Sequence, residues 1–354
     1  MEKSRGLVVA PLTGALVSAF LCASGCGRQV VGVAKPAALL AWEPQPADTS
    51  AKITAVKVGA SRTYVGFSDG ERFFAPNGTT DWLSYDEGPP GCNQPTPKGP
   101  VTAFAVTEGF TFVAFAGYPG APGIWISAED HPCWGSVGPE DDFWSLSVSP
   151  FSTVELFAVS PGLVWVTHDF TSSWEQNGQP TSFTFDGVVQ AIAAGVGPTG
   201  APRAWLGDAA GHVYYSDDPG TDDHGTDTAP DQIHWTPVSP PGFPHRPVVA
   251  VVVDPDHPQT VWVTFAGLFL DSVWTSDDGL TWRNPHGGDL PTLVEDLVDA
   301  GAGWGPGDLS SFTAVSPVPG TGAAYLTALV ADRNRKVTAK SFWTTDGSDD
   351  WWRL

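Results

Sequence analysis

Six short apolar runs recur through the chain after residue 50. They are "ITAVKV" from Ile53, "VTAFAV" from Val101, "FWSLSV" from Phe143, "VQAIAA" from Val189, "VVAVVV" from Val248 and "FTAVSP" from Phe312. They do not alternate strictly between apolar and polar, which is the pattern of strands buried on both faces. The third residue of each is small: Ala55, Ala103, Ser145, Ala191, Ala250 and Ala314. A small residue at one register suits strands that crowd around a common axis. Two further strand-like segments follow each run, such as "TVWVTFAG" from Thr260 and then "SVWTS" from Ser272. The pairs "TYVGFSDG" with "RFFA", "FTFVAFAG" with "IWIS" and "AYLTALVAD" with "SFWTT" correspond. A fourth strand begins at a tryptophan, as in "WLSYDE" from Trp82. Each unit predicts a four-stranded antiparallel meander. Helical periodicity is nearly absent; the segment Pro291 to Ala300, stopped by Gly301, reads as one short helix, with an irregular linker as the alternative.

A second repeat is independent of the first. "TSDDGLTW" places Thr275, Asp277, Gly279, Thr281 and Trp282 at fixed offsets, and "THDFTSSW" matches with Thr167, Asp169, Thr171, Ser173 and Trp174. "SAEDHPCW" carries Glu129 and Trp134, and "TTDGSDDW" carries Asp346 and Trp351. "APNGTTDW" is a weaker copy with Asn77 and Trp82, and a sixth begins at Tyr215 and Asp217 but takes an insertion before Trp235. The tryptophans at 82, 134, 174, 235, 282 and 351 are 52, 40, 61, 47 and 69 residues apart. Such repeats predict an all-β fold, a six-bladed β-propeller of four-stranded antiparallel blades. The expected blades span about 51–88, 101–138, 143–178, 188–240, 247–286 and 311–354. A seventh blade is the competing option, but the 28 residues from Asn284 to Ser311 are too few to make one comfortably. "LAWEPQPADT" around Trp42 resembles "IHWTPVSPPG" around Trp235, so the N-terminal segment is expected to complete the last blade.

TSDDGLTW resembles the Asp-box of the BNR-type β-propeller repeat, whose pattern is Ser/Thr-x-Asp-x-Gly-x-Thr-Trp. Val248 to Trp282 resembles a whole repeat of that family, and the resemblance extends over about residues 51–354. Such repeats are similar to those of sialidases, sortilin-type receptors and some xyloglucan-degrading enzymes, so they imply fold strongly and function weakly. The turn chemistry points to a structural part rather than a metal or catalytic one. The carboxylate accepts backbone N–H groups of its own turn, Gly279 supplies a positive φ, and the tryptophan buries its ring between sheets. In the family the Asp-boxes face away from the usual ligand surface. The resemblance therefore places a ligand on the loops around 86–100, 136–143, 176–188, 236–247 and 284–311, with Phe243 and Trp304 as candidate contacts.

The N-terminus changes the setting. "MEKSRGLVVAPLTGALVSAFLCASGC" has a basic start, an apolar run from Leu7 to Leu21 and small residues before Cys26. That is an export signal, too short to be a membrane span. "ASGC" resembles the lipobox of bacterial lipoproteins, although Ala23 stands where Leu is usual. The resemblance implies lipidation of Cys26 after loss of residues 1–25; ordinary signal-peptidase cleavage is the alternative. Residues 26–50, with Pro36, Pro44 and Pro46, read as a tether. Removing Glu2, Lys3 and Arg5 from 39 acids and 17 bases leaves 38 and 15, a net charge of −23. Such a field opposes nucleic acid and anionic lipid surfaces. Two cysteines remain in the body, Cys92 and Cys133; an oxidising compartment permits a disulfide, and opposite faces of a blade would forbid it.

Candidate chemistry is sparse. The sialidase family uses converging arginines and an Arg-Ile/Leu-Pro tripeptide, which does not occur here. Glu140, Asp141, Asp142 and Asp186 are candidates for a glycosidase carboxylate pair, against the plainer reading as solvated loop acids. "DDPGTDDHGTDTAPD" offers Asp217, Asp218, Asp222, Asp223 and Asp227 to Ca²⁺, against a merely solvated insertion. No other cofactor is expected; there is no phosphate loop, nucleophile elbow or HExxH. The sequence reads best as an exported, lipid-anchored, monomeric binding or assembly module for a protein or glycan. A glycoside hydrolase and a purely structural envelope lipoprotein are the alternatives.

Overall fold

The computed structural model describes residues 53–77, 81–85, 92, 99–116, 123–128, 133–152, 154–170, 174–177, 188–217, 219, 233–238, 240–267, 270–288, 311–318, 323–331, 337–344 and 350–353. Their strands form six sheets. The first sheet contains β1 (Ile53–Val58), β2 (Arg62–Phe67), β3 (Arg72–Pro76) and β4 (Leu83–Ser84). The second contains β5 (Val101–Thr107), β6 (Phe110–Phe115), β7 (Ile124–Ala128) and β8 (Gly135–Ser136). The third contains β9 (Ser145–Val148), β10 (Leu156–Ser160), β11 (Leu163–Thr167) and β12 (Trp174–Asn177). The fourth contains β13 (Val189–Val196), β14 (Pro202–Asp208), β15 (Val213–Ser216) and β16 (Thr236–Pro237). The fifth contains β17 (Val248–Val253), β18 (Val261–Phe265), β19 (Val273–Ser276) and β20 (Trp282–Arg283). The last combines β21 (Gly287–Gly288) with β22 (Ser311–Val318), β23 (Ala323–Ala331), β24 (Val337–Thr344) and β25 (Asp350–Arg353).

The first strands pack in cyclic order. β1 meets β5, β5 meets β9, β9 meets β13, β13 meets β17, β17 meets β22, and β22 returns to β1. This is a β-propeller built from antiparallel four-stranded blades. Hydroxyls stitch neighbouring inner strands together. Ser145 Oγ accepts from Ile192 N at 3.1 Å and Ser147 Oγ from Ala194 N at 2.9 Å. Ser316 Oγ accepts from Val58 N at 3.0 Å, which joins the last sheet to the first.

The small third residue of the apolar runs has a local cause. Registry slips at Ile53/Ala55, Val101/Ala103, Val189/Ala191, Val248/Ala250 and Phe312/Ala314. Each inner strand of these five sheets thus carries a β-bulge one residue before the small side chain, bending it at the axis. Opposite Ala55 and Ala191 stand Gly66 and Gly207. A Cβ on either would collide with the first valine of the next blade, Val101 or Val248.

The tryptophans form a ladder around the outside. Trp134 Nε1 donates to Tyr85 O at 2.9 Å, Trp174 Nε1 to Val137 O at 2.6 Å, and Trp351 Nε1 to Pro285 O at 2.9 Å. Each acceptor lies three residues after the tryptophan of the preceding unit. Trp282 departs from this, for its buried Nε1 has no hydrogen-bond partner among the described residues. Its ring packs edge-on to Phe243 at 5.3 Å instead.

Cys92 and Cys133 are joined in a disulfide with Cα atoms 5.4 Å apart. A closed loop of about 40 residues stabilises the fold by roughly 4 kcal/mol on the chain-entropy model. The last sheet has four strands of its own, and its outer edge is extended by β21, parallel to β25. The extra edge strand thus comes from the residues just after Trp282. Residues around Trp42, the expected helix at 291–300 and Cys26 lie outside the described residues.

Candidate functional site

The turns of the tryptophan-ended repeat come first, because they carry the sequence's strongest motif. In TSDDGLTW the bracing carboxylate is Asp278, not Asp277. Asp278 Oδ1 accepts from Leu280 N at 2.8 Å, Thr281 N at 2.6 Å and Ser276 Oγ at 2.9 Å, while Oδ2 accepts from Thr281 Oγ1 at 2.9 Å. Burial opposes its ionisation, but these backbone and hydroxyl bonds outweigh it and hold the pKa down to about 2. Asp277 is 71% exposed and faces Arg283 at 3.6 Å. The comparison with Asp169 explains the shift. Thr167 Oγ1 donates to Asp169 Oδ1 at 3.1 Å, and Phe170 then takes φ 62°. Ser276, Asp278 and Gly279, at φ 70°, repeat that order of hydroxyl, carboxylate and left-handed residue. The turn keeps these offsets and is one residue shorter before its tryptophan, so aligning on tryptophan selected the wrong aspartate.

The other copies diverge further. Asn77 accepts from Thr63 Oγ1 at 2.9 Å and donates to Gly59 O at 2.9 Å and Ala60 O at 3.2 Å, tying two turns of one blade. Asp217 accepts from Arg203 Nε at 2.6 Å, and that guanidinium lies 4.2 Å over the Tyr215 ring. Asp217 is therefore an ion-pair partner rather than a turn brace. Trp134, Trp235 and Trp351 are buried, and Trp82, Trp174 and Trp282 half-buried. Glu129, Asp346 and the calcium candidates Asp218, Asp222, Asp223 and Asp227 lie outside the described residues.

Glu140, Asp141 and Asp142 sit between β8 and β9. Asp141 Oδ1 accepts from Asp142 N at 2.8 Å, while Glu140 and Asp142 are exposed. None of the three lines the cavity described below. Asp186 and Trp304 lie outside the described residues. Phe243, expected as a ligand contact, is buried, with its ring centroid 4.9 Å from that of Trp274 and 5.2 Å from that of Phe265. An aromatic between prolines in a loop resembles a contact residue in sequence, but here the loop folds back onto the blade. The described arginines have structural partners. Arg72 of β3 lies over Phe115 and Trp134 of the next blade, and Arg246 pairs with Asp271 at 2.7 Å.

A cavity of about 610 Å³ opens on the ring axis. Its walls are the ends of inner strands and the turns that follow them: Val58–Arg62, Val106–Gly109, Val148–Pro150, Ile192–Ala194 and Val251–Asp256. In an antiparallel meander the first and third turns share an end, and Asn77 of a third turn holds Gly59 and Ala60 directly. The cavity therefore opens at the end of the third turns, which carry the tryptophan-ended repeat, opposite the face expected from the sequence.

Two charged groups distinguish the cavity. Lys57 interrupts the apolar strand "ITAVKV" and lines the wall. Encircled by protein yet half-open to the channel, its amine has a pKa lowered by desolvation and partly restored by the charge of Asp254. Asp254 is buried, with Oδ1 accepting from Asp256 N at 2.9 Å and His257 N at 3.3 Å. Its Oδ2 lies 3.4 Å from His257 Nδ1. Both were missed in the sequence; the available signal was one lysine in an inner-strand run and an aspartate ending another.

These features define a β-propeller with an axial cavity at the end of its blades' first and third turns. No protein-family model matches the chain, and no curated protein matches its sequence. Among solved structures it is similar in fold to YCF48 from Cyanidioschyzon merolae, with 13% identity and a TM-score of 0.48 over 82% of this chain and 80% of that one. It is similar to the GH74 xyloglucanase from Xanthomonas campestris, with 15% identity and a TM-score of 0.49 over 86% of this chain and 45% of that one. It is also similar to PorZ, a bacterial surface component of the type-IX secretion system of Porphyromonas gingivalis, with 8% identity and a TM-score of 0.48 over 86% and 32%.

Proposed function

We propose that this chain is a non-catalytic binding or assembly module, a six-bladed propeller of the Asp-box kind. We place it in a bacterial envelope, exported by residues 1–25 and anchored by lipid on Cys26. The observation that carries the binding reading is the axial cavity of about 610 Å³, a size typical of ligand sites. The six sheets with cyclically packed inner strands support the blade number, and the turn bonds of Asp278 and Asp169 support the repeat type. A protein ligand suits the cavity better than a glycan, because no described lining residue offers an open aromatic face for a sugar to stack on. Tyr64, the one aromatic among the described lining residues, is only 1% exposed.

The test is affinity capture from the native envelope with the chain and with an Ala60→Trp/Glu108→Trp variant. Both positions are exposed at the cavity mouth, so the fold tolerates the change while the mouth narrows. The wild-type chain is expected to retain a specific partner and the variant to lose it. Equal retention by both, with circular dichroism unchanged, would remove the cavity from the reading. Metabolic labelling with a fatty-acid analogue, lost in Cys26→Ala, tests the anchor.

A further inference from the structure

Among the described residues, the Lys57 amine has no hydrogen bond and no ion pair within 4 Å; its described electrostatic partner is the more distant Asp254. Asp254 is already engaged by its own turn, through Asp256 N, His257 N and the His257 ring. Lys57 lines the cavity, and among the described residues nothing fills its amine's three donor positions. The wall mixes aliphatic side chains, Val58, Ala105, Val106, Leu146, Ile192 and Val251, with polar ones. Arg62, Tyr64, Glu108, Asp254 and Asp256 are the other ionisable residues among the described lining. A desolvated lysine amine is costly unless a ligand uses it.

We propose that the cavity binds a slim aliphatic chain ending in a carboxylate, with Lys57 as the anchor for the carboxylate and the aliphatic wall holding the chain. Carboxylate and ammonium form charge-assisted hydrogen bonds that a neutral head group cannot replace. The ligand's charge also offsets the desolvation that lowers the lysine's pKa, so binding takes up a proton where the free amine is neutral. The inference rests on the binding reading above and sharpens it to one ligand chemistry. Two sources carry that chemistry: the free C-terminus of a peptide with small aliphatic side chains, and a fatty acid.

Isothermal titration of the full chain in lipid nanodiscs separates these. The probes are octanoate against octanol, and acetyl-Ala-Val-Ala-Val as free acid against its C-terminal amide. At least one acid is expected to bind about tenfold tighter than its neutral counterpart. The preference disappears in Lys57→Met, which keeps the apolar volume and serves as the control for partition into lipid. Binding of the peptide acid alone assigns a protein terminus, and binding of octanoate alone an acyl chain; either supports the proposal. Acid and neutral probes binding equally would overturn the carboxylate anchor, and so would an undiminished preference in Lys57→Met. If no probe binds while the narrowed-mouth variant still loses its envelope partner, this inference fails and the binding reading stands. If that partner is retained as well, both fail.

Discussion

At the scale of single residues, two neighbouring aspartates have different work. Asp278 closes its turn with four accepted bonds, and Asp277, itself exposed, meets the half-buried Arg283 at 3.6 Å. Asp278→Ala is expected to lower stability by about 1 kcal/mol at neutral pH, a value reduced for solvent screening, and Asp277→Ala to leave it nearly unchanged. The folded carboxyl titrates at about 2 and the unfolded one at 3.8. The contribution is therefore present above 3.8 and is lost as pH falls toward 2. Denaturant melts of the variant and wild type should converge over that window. Lys57 has the opposite charge and a depressed pKa, so its folded form holds the proton less tightly than the unfolded form. Its penalty is fully present below the folded pKa and vanishes as pH rises through 10.5, the ordinary value. Lys57→Met is expected to raise Tm at neutral pH, with the gain shrinking toward pH 10.5; an unchanged Tm throughout would contradict the burial argument.

At the scale of elements, the ladder of indole bonds tests how the blades are joined. Trp174→Phe removes a donor from the Val137 carbonyl, whereas Trp282→Phe removes an N–H that has no partner among the described residues. The first is expected to cost about 1–3 kcal/mol more than loss of ring area alone explains, and the second to cost only area. Equal losses in thermal unfolding would refute the ladder. The inner strands were legible in the sequence because they are apolar along most of their length, although many of their residues are only half-buried, and the small third residue marked each bulge. The registry slip itself was not visible, since it depends on which residue the next strand offers as partner. The turns show the same limit. Tryptophan was the most prominent character in the motif, but the hydroxyl–carboxylate–left-handed order fixes the turn, and its distance from tryptophan varies.

At the scale of the whole molecule, closure is a contact between the two ends of the described chain. Ser316 of β22 accepts from Val58 of β1. Ser316→Ala is expected to speed hydrogen exchange at Val58 and its β1 neighbours selectively, because a ring opened at one seam loosens there first. Uniform acceleration around the ring would place closure elsewhere. By itself the sequence determined the repeating unit and its four strands, because these follow from local periodicity and backbone preference. The disulfide, the parallel β21 strand and the burial of Phe243 were decided by tertiary structure, for each depends on which distant segments arrive side by side. So was the cavity. Lys57 and Asp254 are 197 residues apart and act on each other only because the ring brings their two inner strands to one axis. The repeat pointed to the loops that vary, while packing opened a space among the turns that repeat.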